Sequence, residues 1–268
     1  MNSNRNKLIY LAILFDGDYD AILSAVKKYS YPSDEVILEE VNKLKCQTLT
    51  ILDEDYPQYL KNYSRSPFVL FYYGDISLIN AEHVNSNLGV VGTRKATSYG
   101  LYNTKRIVRE LNAECTIVSG LAKGIDAAAH QAAIDSNAKT VAVLGSGIDN
   151  VWPLENEDLY HSIIDHGGLV VSEYPNMSEP LDIHFPVRNR LIVMFSNAIL
   201  VTEAHGYRTG TAITVKYAMA FNKLLMTIPY PLGISDSYCN HLLHEGVQCV
   251  RNAKDVLLEM DVTDLKII

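Results

Sequence analysis

From residue 88 onward, short apolar runs and helix-period stretches alternate with great regularity. The runs predict strands at Leu88–Gly92, Thr116–Ser119, Thr140–Leu144, Leu169–Ser172, Ala198–Thr202, Leu224–Ile228 and Val247–Val250. Helices are predicted between and after them at Asp126–Ala133, Asn156–Asp165, Arg190–Phe195, Thr211–Phe221, Tyr238–His244 and Ala253–Met260, with a further helical stretch between the first two strands. Runs such as Val141-Ala142-Val143-Leu144 are apolar on both faces, as parallel strands covered by helices on either side must be. Upstream, Lys7–Phe15, Tyr19–Tyr29 and Ser33–Lys45 read as short helices, with Ser33 placed to cap and Asp34 and Glu35 suited to a first turn. Thr48–Leu52 and Phe68–Tyr73 read as two more strands around a proline-bearing loop, and the dense tyrosines here are expected to pack a joint. The pattern therefore predicts an α/β chain: a small N-terminal helical domain over residues 1–50, then a doubly wound, mostly parallel, Rossmann-like sheet over 51–268.

In such sheets ligands bind at the carboxyl ends of the strands. Those ends carry Gly92-Thr93-Arg94, Ser119-Gly120, Gly145-Ser146-Gly147, Glu173 and Glu203. Turns from strand to helix offer free backbone N–H groups and the positive end of a helix dipole, and glycine lets an anion approach closely. Lys95 and Lys123 lie beside these turns. Arg188-Asn189-Arg190 is expected to enter the crevice near a helix start, where guanidinium forks suit phosphate. Arg208-Thr209-Gly210-Thr211 repeats the phosphate-loop logic after the Glu203 strand.

Composition adds a constraint of distribution. The 268 residues carry a formal net charge of −8, which excludes a protein that coats nucleic acid by bulk positive charge but not one with a local basic groove. No Lys or Arg occurs between Lys139 and Arg188, whereas Arg188, Arg190, Arg208, Lys216 and Lys223 follow with Glu203 the sole acid among them. The four cysteines form no paired framework, which fits reduced thiols and a cytoplasmic protein. Leu8–Phe15 is too short, and too abruptly followed by Asp16-Gly17-Asp18, for a secretory leader or a membrane span, so it reads as a buried helix.

Other chemistries fit less well. Gly145-Ser146-Gly147 lacks the third glycine of a dinucleotide fingerprint, there is no Walker-type phosphate loop, and no G-x-S-x-G elbow supports a serine nucleophile. Ser119, Asp126 and His130 can be drawn as a triad only by free choice, and His130 reads as a satisfied core histidine. Cys239, His241, His244 and Cys249 have an untypical spacing for zinc. No cofactor, metal or catalytic residue is expected.

Several motifs in one order carry a resemblance. Gly92 to Arg94, Ser119 to His130 (SGLAKGIDAAAH), Val141 to Pro153 (VAVLGSGIDNVWP), Ser172 to Pro175, Phe185 to Ile192 (FPVRNRLI) and Val201 to Ala204 together resemble the DprA/Smf family of DNA-processing proteins, across about residues 48–260. The resemblance implies an extended Rossmann fold that binds single-stranded DNA, forms a homodimer, and promotes loading of the RecA recombinase in natural transformation. It implies a DNA pocket at Gly92, Thr93 and Arg94 with neighbouring basic residues, and Arg188-Asn189-Arg190 as a second hallmark. Two departures stand out: Trp152-Pro153-Leu154 replaces a usual Tyr-Pro-Lys, with Arg208 placed to compensate, and Pro229-Tyr230-Pro231 replaces a usual Pro-Gly. A second, enzymatic reading comes from the related LOG-like nucleoside monophosphate phosphoribohydrolases. Their P-G-G-x-G-T-x-x-E motif needs a glutamate where Thr214 stands, which leaves Glu173 and Glu203 as the conceivable acid–base substitutes.

Overall fold

In the computed structural model, which describes residues 3–232 and 237–265, the first helices are α1 (Ser3–Leu14), α2 (Tyr19–Ala25) and α3 (Asp34–Asn42). Then follow β1 (Gln47–Thr50), β2 (Val69–Gly74), α4 (Ala81–Val84), β3 (Asn87–Gly92), α5 (Ser98–Glu110), β4 (Thr116–Ser119), α6 (Ile125–Asp135) and β5 (Thr140–Val143). The remainder comprises α7 (Glu157–Asp165), β6 (Leu169–Ser172), α8 (His184–Met194), β7 (Ala198–Glu203), α9 (Gly210–Ala220), β8 (Leu224–Thr227), α10 (Tyr238–His244), β9 (Gln248–Cys249) and α11 (Ala253–Leu265).

The strands form one nine-stranded sheet in the order β1-β2-β6-β5-β4-β3-β7-β8-β9. Pairing is parallel from β6 through to β9, and antiparallel where β2 meets β6 and β1 meets β2. The Rossmann-like, mostly parallel sheet is thus present, with an antiparallel edge that the alternation of runs did not announce. Strand order reverses beside β3, whose neighbours are β4 on one side and β7 on the other. That reversal opens a crevice at the carboxyl ends.

Alternate residues of each strand feed opposite layers. Leu88 and Val90 of β3 and Ala198 and Leu200 of β7 pack with Ile107, Ala129 and Val256 from α5, α6 and α11. Val91, Ile199 and Val201 instead join Leu191, Val215 and Leu242 from α8, α9 and α10. The N-terminal helices share a third cluster with the sheet, in which Leu8, Leu11 and Ile22 meet Phe71, Ala142 and Val170. Arg5 of α1 reaches β1, donating to the Thr48 carbonyl at 2.8 Å and pairing with Asp53 at 2.8 Å. The tyrosines around the joint pack as expected: Tyr19 stacks on Phe68 with centroids 4.7 Å apart, and the Tyr56 and Tyr59 hydroxyls donate to the Pro67 and Ile79 carbonyls.

Helix α8 begins at His184, six residues earlier than the sequence pattern suggests. Pro186 lies in its first turn, where a missing N–H costs nothing because those groups have no acceptor within the helix. Arg188 and Arg190 therefore sit inside the helix rather than at its start.

Candidate nucleic-acid interface

Two backbone details create the floor of the crevice. The β3–β7 register shifts at Val91/Gly92, and the Thr93 amide donates to the Glu203 carbonyl at 2.8 Å. A Cβ on Gly92 would lie 2.7 Å from that same carbonyl oxygen and 2.5 Å from Cγ1 of Ile125, so only glycine fits. Behind it, Gly124 (φ +80°) opens α6 against the carbonyls of Thr93 and Arg94.

The resulting cleft measures about 660 Å³ and is lined by residues 91–95 at the end of β3 and just beyond it, by Arg188 and Asn189 of α8, and by His205 and residues 208–211 after β7. Arg94 and Lys95 are exposed on its rim, and Arg208 is exposed opposite. Thr209 caps α9 by accepting from the Ala212 amide at 3.3 Å, and Gly210 and Thr211, whose N–H groups have no acceptor within the helix, line the cleft at its start. Four cationic side chains (Arg94, Lys95, Arg188 and Arg208) thus line the cleft against two carboxylates, Asp126 and Asp182.

Arg188 is 3% exposed and forms the base of the site. Its Nη1 donates to the Gly120 carbonyl at 2.6 Å and to the Val143 carbonyl, tying together the ends of β4 and β5. Its Nε donates to the Asn189 side chain at 3.1 Å, whose own amide donates to the Gly210 carbonyl, so α8 and the start of α9 are fixed to each other. Burial lowers the Arg188 pKa to about 10, against the opposing field of Asp126, and it stays charged at neutral pH. Burial likewise pushes the Asp126 carboxyl up, while Arg188 and the Gly120 amide, 3.2 Å away, hold it down. Phe185 has two guanidinium groups near its ring, with Arg94 Cζ at 5.1 Å and Arg188 Cζ at 6.0 Å from the centroid.

The remaining expected residues divide. Lys123 is exposed, paired with Glu155, and lines a smaller neighbouring cleft together with Gly120. The Ser119 hydroxyl is fully buried and donates to the Val90 carbonyl at 2.6 Å. Gly145 and Gly147 line neither cleft; a Cβ on Gly145 would meet Phe185 at 2.7 Å, and Gly147 abuts the Asn176 backbone, so both serve close packing. Arg190 is a correction: it does not enter the crevice. It is 2% exposed on the opposite face of α8, where it grips Glu173 through two hydrogen bonds of 2.5 and 2.6 Å and donates to the Arg65 carbonyl.

Phe185 and His205 complete the lining. The sequence offers Phe185, with Trp152, Tyr174 and Tyr207, as an aromatic near a predicted loop that packs more readily than it stacks; His205 was missed, and its signal was a histidine two residues beyond Glu203. The His205 Nε2 lies 2.9 Å from the Glu203 carboxylate, which also accepts from the Thr97 amide and the Tyr230 hydroxyl. No triad forms, since the Thr140 hydroxyl donates to the Ile117 carbonyl and therefore accepts from His130 Nδ1 at 2.7 Å. Among the described residues no group of three or more His, Cys, Asp or Glu side chains is arranged to hold a metal ion, and Cys239 and Cys249 are respectively buried and exposed. No helix among them is long and apolar enough to cross a membrane.

Comparison with known proteins shows the family and the fold. Residues 47–261 match the family model of DNA recombination-mediator protein A. The chain is 37% identical over 238 residues to DNA processing protein DprA of Streptococcus pneumoniae, covering 88% of this chain and 81% of that protein. The X-ray structure of the S. pneumoniae protein superposes with a TM-score of 0.75 at 32% identity, over 95% of this chain and 93% of that one. A structure of DNA processing protein A from Helicobacter pylori, which concerns that protein's single-stranded DNA binding mode, superposes with a TM-score of 0.70 at 27% identity over 84% and 97% of the two chains. A family match across most of the sheet, together with a basic crevice at its topological switch point, places this chain in the DprA/Smf family of DNA-processing proteins.

Proposed function

We propose that this protein binds single-stranded DNA along the cleft above the β3 and β7 ends. In this reading it catalyses no reaction, protects incoming strands and promotes loading of the RecA recombinase in natural transformation, acting as a cytoplasmic homodimer. The observation that carries the reading is the concentration of exposed Arg94, Lys95 and Arg208 around the α9 N-terminus, above the buried Arg188, on a chain whose net charge is −8. A local basic groove on an acidic protein selects a polyanion at one place only. The RecA, transformation and homodimer components rest on family membership.

The enzymatic reading loses its substitutes. Glu173 is engaged by Arg190 and Glu203 by Thr97, His205 and Tyr230, while the Thr214 hydroxyl donates to the Gly210 carbonyl at 3.2 Å. Neither glutamate lines the cleft, whose two carboxylates are Asp126, which accepts from the Gly120 amide, and Asp182.

The test is a titration of labelled oligothymidine and a matching duplex at about 50 and 200 mM salt, with and without Arg94→Ala. Strand-selective binding that weakens with salt is expected. Arg94→Ala should weaken it for every sequence and reduce the salt slope by about 0.7, one phosphate on a single strand. Assembly of RecA on the same strand should be faster with the parent protein than with the variant. An unchanged isotherm removes Arg94 from the site; no binding at either salt overturns the proposal, and release of free base from a nucleoside monophosphate would then favour the hydrolase.

A further inference from the structure

The end of α9 away from the cleft carries a cation of a different kind. Lys223 lies between α9 and β8, just past Asn222, whose left-handed backbone (φ 52°) ends the helix, and its amide donates to the Ala218 carbonyl at 2.9 Å. The side chain borders a wall of three rings. Its Nζ lies over Tyr63, 5.6 Å from the ring centroid, while Tyr63 packs on Phe221 with centroids 4.7 Å apart and Phe221 on Tyr217 at 5.8 Å. All three rings are anchored on the hydrophobic core, so the wall is fixed. Among the described residues none brings a carboxylate or a carbonyl to the Lys223 Nζ, whereas Lys43 and Lys123 are ion-paired and Lys139 donates to the His166 carbonyl. Lys223 is half-buried, yet its Nζ is not sealed from solvent.

We propose that Lys223 is a covalent modification site, acylated on Nζ by a small acyl phosphate. A lysine set against an apolar wall with no counter-ion is an amine nucleophile near neutral pH, where an exposed lysine is almost wholly ammonium. The Tyr63 ring favours the charged form, but loss of hydration outweighs it and lowers the pKa to about 8. Roughly a quarter of the amine is then unprotonated at pH 7.5, against about 0.1% of an ordinary lysine. In the reaction the Nζ lone pair attacks the acyl carbonyl carbon. The C–N bond forms, the C–O bond to the phosphate breaks, inorganic phosphate leaves with that electron pair, and water takes the proton from nitrogen. Half-burial beside Tyr63 admits a donor of a few atoms, whereas a modifying enzyme has to draw the whole side chain into a pocket of its own. The amide product is neutral, so acylation removes the cation from the C-terminal end of α9 and from the Tyr63 face. The site is independent of strand binding, which engages the other end of the helix at Gly210 and Thr211.

The test is to incubate the full chain with acetyl phosphate at several pH values and to follow each lysine separately by mass spectrometry of peptides cut at glutamate. At pH 7.5 Lys223 should be acetylated on the order of tenfold faster than the exposed Lys27 and Lys28, which serve as internal references. Its rate should level off above about pH 8, while theirs keep climbing. Repeating the reaction in denaturing urea should abolish the preference, because the unfolded chain has no apolar wall beside Tyr63. Lys223→Arg, which keeps the cation, should remove the fast phase from the total acetylation. Equal or slower reaction at Lys223 in the folded chain, a preference that survives in urea, or a rate that climbs with pH like those of Lys27 and Lys28 would overturn the site.

Discussion

Arg188 and Arg190 stand two residues apart on one helix and point to opposite sides of it, because positions i and i+2 never share a helical face. Arg188 meets the crevice; Arg190 closes the interior against Glu173. Burial disfavours the Arg190 charge, but the Glu173 carboxylate outweighs it and the pKa is raised. Removing one partner of such a pair strands the other's charge in the interior. Arg190→Ala is accordingly expected to cost roughly 3–5 kcal/mol of unfolding free energy in a urea titration. A loss below about 1 kcal/mol would show that water reaches Glu173. The motif Arg-Asn-Arg was legible in the sequence, but the division of labour within it was not, since facing depends on where α8 begins and Pro186 conceals that start.

At the scale of elements, the site depends on the junction of β7 with α9. Thr209 ends an extended segment (φ −123°, ψ 165°) and supplies the side-chain acceptor for the first turn. Thr209→Ala is expected to destabilise the fold by about 1 kcal/mol, measured as a shift in denaturation midpoint. It should also weaken strand binding, because a frayed first turn no longer holds Gly210 and Thr211 at the cleft. Thr209→Asn or Thr209→Ser, which keep the cap, should restore both. The strands β3, β4, β6 and β7 were readable almost residue for residue, since each is a run apolar on both faces. The antiparallel edge was not, because the direction of β2 is set by its partner β6 and not by its own side chains.

For the whole molecule, acid stability depends on a histidine buried in the core. His130 is fully buried on α6, and burial lowers its pKa to about 3. Its Nε2 has no hydrogen-bond partner, so a proton there would go unsolvated. The unfolded chain takes up that proton near pH 6.5. The folded-state pKa being the lower, the stabilisation is complete above pH 6.5 and is lost progressively as pH falls towards 3. Between pH 7 and pH 4.5 the parent should lose on the order of 2 kcal/mol more than His130→Asn, as measured by urea unfolding at both values. Equal losses would mean that acid opens another part of the core first.

The sequence by itself determined the strand–helix alternation, the glycine turns at the strand ends and the stretch of chain carrying each arginine, because these follow from local periodicity and backbone sterics. Tertiary structure decided what such residues face. It buried Arg190 and spent Glu173 and Glu203 on internal partners, turned Gly145 and Gly147 to packing, and brought Trp152 to the same cleft as Arg94 and Phe185. Those outcomes require the strand order, which joins segments tens of residues apart and which no window of sequence contains.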